Sequence, residues 1–248
     1  MGDATAEDHM VRKEVGRVRL LQQLPGRGAI QCLRLALPYR EQTAVMPGQY
    51  CLLSSHERIQ PCSYVSVPGR SREFLVVTSR ATPLEVDGEW LSYSGPIGSG
   101  WPVPLLGRRL LAITRGYGFL PLLCVLDEIS CWLPWVEIHL LYDAASLTYL
   151  PEEYRHRLAA MKVFSRTLYP FGSQAELKNY VVTLKPDMVY CCAPSQLAFQ
   201  LARRCIEQGV CAQRIWIRAD HVGVSADRPV SPWDGPVHRF DRVLAARY

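Results

Sequence analysis

The sequence lacks the closely spaced cysteines and histidines that hold metal ions. It contains no Cys-x-x-Cys pair, its six histidines are dispersed, and no cysteine follows Cys211. Zinc sites and iron–sulfur clusters depend on sets of thiolate or imidazole ligands. The nine cysteines are odd in number and lie mostly in apolar segments, which favours reduced, buried thiols in a reducing compartment. We therefore expect no metal site built from this chain alone.

Long apolar runs and blocks of like charge are also missing. The most apolar region, residues 110–142, is interrupted by Arg115, Asp127 and Glu128 and is too broken to span a membrane. The charged N-terminus has no apolar segment of a secretory signal. A net charge of +5 without a basic run gives little support to nucleic-acid binding. These absences predict a cytoplasmic protein that neither inserts into membranes nor binds nucleic acid.

Short β-forming segments separated by turns fill the first part of the chain. The segments are GRVRLLQQL, AIQCLRLAL, GQYCLLS, SYVSV and EFLVVTS. Turn sequences such as MPGQ and VPGRSR lie between them. The pattern predicts an antiparallel β-barrel over residues 14–107, preceded by a flexible N-terminus at 1–13. GPIGSGWPVP closes this region and marks a domain boundary.

From residue 108 onward, apolar strands alternate with helices. RLLAIT and VEIHLLYD are typical of strands buried on both faces. SQLAFQLARRCIEQG has the pattern of an amphipathic helix, with Ser195 available to cap its start and Gly209 to end it. The alternation predicts an α/β domain with a parallel sheet over residues 108–217, followed by an irregular tail at 218–248. The expected fold class is therefore α+β with two domains.

Seven motifs resemble, in their order, those of the ferredoxin–NADP reductase superfamily. They are PGQY, QPCSYVS, GPIGSGW, RGYGFLPLL, LLYDAAS, VYCCAPSQLAFQL and DGPVHRF. The resemblance covers nearly the whole chain. It is closest to the branch that holds the sulfhydrogenase gamma subunit, the corresponding subunit of anaerobic sulfite reductase and the electron-transfer subunit of dihydroorotate dehydrogenase. It implies a barrel that binds FAD, a sheet domain that binds NAD(P)H, and hydride transfer from nicotinamide to flavin.

The resemblance also implies roles for individual residues. Cys192 would lie near the nicotinamide as the catalytic residue, although a buried structural thiol is the other interpretation of this cysteine. The implied cofactor-binding residues are Ser63, Tyr64, Thr82, Gly95, Gly98, Gly116, Gly118, Pro121 and Pro194.

Six positions depart from the pattern of the superfamily. They are Gln60, Cys62, Arg115, Asp143, Ala193 and Ser231. Gln60 replaces an arginine that neutralises the FAD pyrophosphate, and Cys62 replaces an aromatic residue that packs on the flavin. Arg58 or Arg80 could restore the missing charge. Ser231 stands where the branch has the last of four cluster-binding cysteines, so we expect no iron–sulfur cluster.

Two functional hypotheses follow. The first is an electron-transfer subunit of a multi-subunit redox complex of the hydrogenase or sulfite reductase type. It would bind FAD, and NAD(P)H if it is an active flavin oxidoreductase, and its partners would be the other subunits. The second is a catalytically inactive pseudoenzyme, a scaffold or docking subunit of a larger complex, because the departures fall at every cofactor-contacting motif.

Overall fold

The first body of the molecule is a closed antiparallel barrel. A computed structural model of the chain describes residues 16–24, 30–38, 44–55, 58–69, 72–79, 84–86, 88–161, 163–167, 174–218 and 236–246. Six strands close the barrel in the order β1-β2-β5-β4-β3-β6. They are β1 (Gly16–Leu24), β2 (Ile30–Ala36), β3 (Tyr50–Ser55), β4 (Arg58–Tyr64), β5 (Glu73–Ser79) and β6 (Trp90–Ile97). Alternate side chains, such as Leu33, Leu35 and Leu53, fill the interior.

The second body is a six-stranded sheet with helices between its parallel strands. The strands are β7 (Arg109–Thr114), β8 (Glu137–Tyr142), β9 (Val163–Thr167), β10 (Met188–Cys192), β11 (Ile215–Arg218) and β12 (Val237–Arg239). The helices are α1 (Phe119–Trp132), α2 (Glu152–Ala160), α3 (Gln174–Leu184), α4 (Ser195–Glu207) and α5 (Phe240–Ala245). The sheet order is β12-β11-β10-β7-β8-β9. Of the pairings described in this sheet, that of β11 with β12 is antiparallel and the others are parallel. A barrel followed by a parallel α/β sheet confirms the expected fold class.

Three local expectations fare differently. Gly209 follows α4 with φ of +90°, so it ends the helix as expected. The helix cap is Pro194 and not Ser195, which is the first helical residue and makes no side-chain capping bond. The described part of the expected tail is regular, because β12 pairs with β11 and α5 follows it directly. Helix α3 was not expected from the sequence.

The barrel packs on the sheet domain through an apolar cluster. Leu75 and Val77, on the outer face of β5, belong to the same buried cluster as Phe119 and Leu123 of α1. At its edge, the Arg34 guanidinium of β2 lies 2.6 Å from both carboxylate oxygens of Glu153 in α2. This ion pair, made by one guanidinium nitrogen to both oxygens, and the cluster beside it fix the barrel against α1 and α2. None of the helices in the described ranges is long and apolar enough to cross a membrane.

The loop after β7 lies so close to β10 that we predict Gly118→Ala to destabilise the protein. A Cβ at position 118 would lie 2.4 Å from the carbonyl oxygen of Cys192, which is backbone and cannot rotate away. We expect the free energy of unfolding to fall by about 1–3 kcal/mol in urea denaturation.

Gly69→Ala is the matched control, because a Cβ there would meet nothing within 4 Å. We expect its unfolding free energy to stay within about 0.5 kcal/mol of the parent value. Equal stability of the Gly118→Ala and Gly69→Ala proteins would contradict the close approach.

Candidate functional site

The candidate site lies at the carboxyl edge of the parallel sheet. Chain order reverses beside β7, since β8 and β9 lie on one side of it and β10 and β11 on the other. Open α/β sheets bind ligands outside the carboxyl ends of their strands at such a switch point. The loops that follow β7 and β10 therefore form one wall of the candidate site.

The loops after β7 and β10 touch each other directly. The carbonyl oxygen of Cys192 accepts hydrogen bonds from the Thr114 hydroxyl (2.9 Å) and the Arg115 backbone N–H (3.2 Å). Gly118 packs against the same carbonyl, and Pro194 caps α4 two residues later. The structure thus brings Cys192, Gly118 and Pro194 close together. Contacts within the protein therefore account for the positions of all three residues.

Two further residues of the implied nucleotide set lie next to this contact. Gly116 has φ of +60°, a left-handed conformation that favours glycine. Pro121 is buried in the first turn of α1, where a backbone N–H is not needed for the helix. The Cys192 thiol belongs to a side chain only 1% exposed.

A polar network joins the loop after β7 to the turn after β8. Asp143 caps that turn: its Oδ1 accepts from the Ser146 backbone N–H (2.8 Å) and from the Ser146 hydroxyl. The Ser146 Oγ accepts in turn from the Gly116 backbone N–H (2.8 Å). Asp143 Oδ2 lies 3.3 Å from Nε of Arg115. Two of the six departures, Arg115 and Asp143, are therefore partners in one ion pair.

Strand β4 forms the barrel side of the site and contains the first five residues of the QPCSYVS motif. Its side chains alternate between the barrel interior and the outer face, so neighbours in the motif lie on opposite faces. Gln60, Cys62 and Tyr64 are buried, and the last two belong to the barrel interior, whereas Ser63 lies on the outer face. Gln60 Oε1 accepts from the Thr78 hydroxyl at 2.8 Å. Gln60 and Cys62 thus serve the barrel itself.

Tyr64 and Gly95 also belong to the barrel interior. The Tyr64 hydroxyl lies 2.5 Å from the Tyr93 hydroxyl, and burial raises the pKa of Tyr64 far above its usual value, so Tyr64 stays neutral. A Cβ on Gly95 would lie 3.0 Å from both hydroxyls and 2.8 Å from Cβ of Cys51. The tyrosine pair therefore explains Gly95. Gly98, with φ of +80°, accepts a 2.7 Å hydrogen bond from Gln49 at its carbonyl, which explains it as a turn residue.

Ser63 connects the barrel to the sheet. Its hydroxyl accepts a hydrogen bond from the guanidinium of Arg218, at the carboxyl end of β11. Arg218 is only 2% exposed, so a cation is buried at this crossing. Tyr50 of β3 is directly opposite Ser63 and shares its outer face, and partial burial raises the pKa of Tyr50.

Two residues of this crossing, Tyr50 and Arg218, were not expected from the sequence. Tyr50 lies opposite Ser63 because β4 begins at Arg58, five residues before the expected SYVSV segment, and pairs with β3 in this register. Arg218 gave no signal in the sequence, because its contact with Ser63 depends on how the barrel docks on the sheet.

Trp101 anchors the segment between the two bodies. It is 1% exposed, its ring centroid lies 4.8 Å from that of Tyr190, and its backbone N–H donates to the Pro47 carbonyl at 2.7 Å. The Tyr190 hydroxyl donates to the Pro102 carbonyl. Indole Nε1 of Trp101 is buried without a hydrogen-bond partner among the described residues. A buried indole N–H usually has an acceptor, so this donor can serve a ligand.

Some expected site residues lie outside the described ranges. Thr82, Arg80 and Ser231 are among them, as is the 219–235 segment where the resemblance places cluster ligands. Within the residues that the structure describes, no three His, Cys, Asp or Glu side chains are grouped so as to hold a metal ion.

Comparison with known proteins bears on the fold. No protein-family model matches the sequence, and no curated protein matches it. Flavohemoglobin from Malassezia yamatoensis has a similar structure, with a TM-score of 0.62 and 16% identity over 83% of this chain and 60% of that chain. The flavohem-like FAD/NAD-binding domain of nitric oxide dioxygenase from Vibrio cholerae O1 biovar El Tor gives 0.60 and 15%, over 83% and 98%.

A third similar structure is the NADH-dependent reduced ferredoxin–NADP oxidoreductase, with a TM-score of 0.62 and 16% identity over 92% of each chain. Identities this low establish the fold alone. The chain therefore has the barrel-and-sheet fold of FAD/NAD-binding reductases, and it spans 60% of the length of the flavohemoglobin.

The burial of Cys192 predicts a definite pattern of thiol reactivity. Of the nine cysteines, only Cys131 and Cys211 are exposed. Burial raises the pKa of the Cys205 and Cys124 thiols to about 12, so neither forms thiolate near neutral pH. We expect a disulfide reagent to modify two thiols rapidly in the native protein and all nine after unfolding.

The Cys131→Ser/Cys211→Ser protein serves as the control and should show almost no rapid reaction. Rapid modification of Cys192 in that protein, detected by peptide mass spectrometry, would contradict the buried placement of this thiol.

Proposed function

We propose that this chain is an electron-transfer subunit of a multi-subunit redox complex of the hydrogenase or sulfite reductase type, binding FAD between the barrel and the sheet. The observation that supports this is the buried contact of Ser63 with Arg218. It places a hydroxyl on the outer face of β4 and a cation from the carboxyl edge of the sheet at one point.

The residues at this crossing fit the ring end of a flavin. Ser63 provides a hydroxyl, Tyr50 an aromatic ring on the same face, and Arg218 a positive charge. Trp101, whose Nε1 lacks a partner among the described residues, packs beside Gly48 and Val237, and Val237 pairs with Arg218. A bound flavin supplies the capacity to accept and release electrons, and the surrounding protein groups tune it.

The phosphate end of FAD would be held differently from the superfamily pattern. Gln60 is buried and bonded to Thr78, so it does not take the place of an arginine at a phosphate. Arg58, at the start of β4, forms an exposed 3.6 Å ion pair with Glu85 and is a described cation near this end of the strand. We assign Arg58 to the phosphate end as part of the proposal.

A specific observation favours a second candidate, a catalytically inactive scaffold or docking subunit. Gln60 and Cys62 are both buried in the barrel, so the motif that anchors FAD in the superfamily has become part of its packing. Such a chain would keep the two-domain shape for contacts with other subunits. The same experiment separates the two candidates.

We predict that the purified protein takes up FAD in a one-to-one ratio and that Ser63→Ala weakens the binding about tenfold. The variant loses a hydroxyl at the ring and leaves Arg218 without that acceptor. Absorption spectra and equilibrium dialysis of FAD measure the effect, with the thermal midpoint recorded to confirm folding.

Ser54→Ala is the matched control, since Ser54 lies on the same face of β3 but at the opposite end from Tyr50. Its FAD affinity should equal that of the parent protein. A folded, colourless parent protein that does not take up added FAD would rule out the first candidate and support the scaffold.

A further inference from the structure

We propose that Arg115 and Asp143 close the dinucleotide position of this chain to NADH and NADPH. Electrons then reach the protein from a redox centre of a partner subunit. The source of the electrons is the one part that rests on the proposed function. The closure itself is argued from the contacts around the loop after β7.

Both oxygens of the Asp143 carboxylate are engaged within the chain. Oδ1 accepts two hydrogen bonds from Ser146, and Oδ2 lies 3.3 Å from Nε of Arg115. An acidic residue after the second strand of a dinucleotide-binding sheet ordinarily binds ribose hydroxyls. Here that carboxylate is turned toward the neighbouring loop, and its side chain is only 17% exposed. A ribose would have to compete with these contacts for the carboxylate.

The backbone of the loop after β7 also has a hydrogen-bond partner within the chain. The Gly116 N–H donates to the Ser146 hydroxyl oxygen, and that hydroxyl is bonded to the Asp143 carboxylate. Backbone N–H groups of such a loop otherwise point at a phosphate. A pyrophosphate that approached Gly116 would therefore find this N–H already bonded, beside an ion pair that carries no net charge.

Arg115 does not reverse this effect while it is paired. Its guanidinium would attract a phosphate if it were free of Asp143, but the ion pair cancels its charge at the loop. The pair thus weakens two attractions that a dinucleotide can use, the positive charge at the pyrophosphate and the acceptor at the ribose. The two residues act together, and each alone would have a different effect.

The competing interpretation is that Asp143 recognises the ribose of NADH, and it predicts the opposite sign for one substitution. If Asp143 blocks the loop, Asp143→Asn removes the charge that neutralises Arg115 in this ion pair and strengthens nucleotide binding. If Asp143 binds the ribose, the same substitution weakens the binding of NADH.

The test is a calorimetric titration of NADH and NADPH into the full chain. We expect no saturable binding to the parent protein at millimolar nucleotide. The Asp143→Asn and Arg115→Gly/Asp143→Gly proteins should bind at least about tenfold more tightly, because the first variant no longer neutralises Arg115 and the second replaces the ion pair with a plain glycine loop.

Asp241→Asn is the matched control. Asp241 pairs with Nε of Arg239 at 2.7 Å, at the opposite edge of the sheet, so its loss should leave nucleotide binding unchanged. Arg115→Ala, which leaves Asp143 without this cation, should bind nucleotide no better than the parent and should melt at a lower temperature.

Two results would overturn the proposal: tight binding of NADH to the parent protein that Asp143→Asn weakens, or no gain of binding in the folded double variant. FAD content is measured separately, so the two proposals fail separately. A colourless protein whose Asp143→Asn variant gains nucleotide binding overturns the flavin function and keeps the closed loop. A flavoprotein that NADH reduces directly does the reverse.

Discussion

The outer face of β5 packs against α1, and this contact fixes the position of the barrel relative to the sheet. Leu75 and Val77 share one buried cluster with Phe119 of α1, the helix that begins at the carboxyl edge of the sheet. Because this contact is apolar and continuous with the core beneath the sheet, β4 has one position relative to β11. That position brings Ser63 to Arg218.

The order of motifs in the sequence was enough to predict the two bodies of the fold and the place of the loop after β7. Strand and turn patterns depend on residues that are close in sequence, and the motifs occur along the chain in the same order as the elements that carry them. Helix α3 and strand β12 were missed because their sequences carry weak periodicity. Their conformation is supported by packing on α4 and pairing with β11.

The candidate site was predicted less well, because its chemistry depends on pairs of residues. Arg115 and Asp143 each departed from the superfamily pattern, and each was counted as a loss, yet parallel pairing of β7 with β8 makes them neighbours. Tyr64 followed the motif in sequence but faces the barrel interior, since alternation along β4 decides which side chains reach the crevice. Only docking of the barrel could reveal Arg218.

The ion pair between Arg115 and Asp143 also restricts how this loop can change by mutation. A return to glycine at position 115 alone leaves a carboxylate of low exposure without that cation, and a return at position 143 alone removes the cap of the following turn. We therefore expect each single glycine substitution to lower the stability of the loop, whereas the two together give a plain glycine loop. The effects of the two substitutions on stability are then not additive, because the residues are in contact.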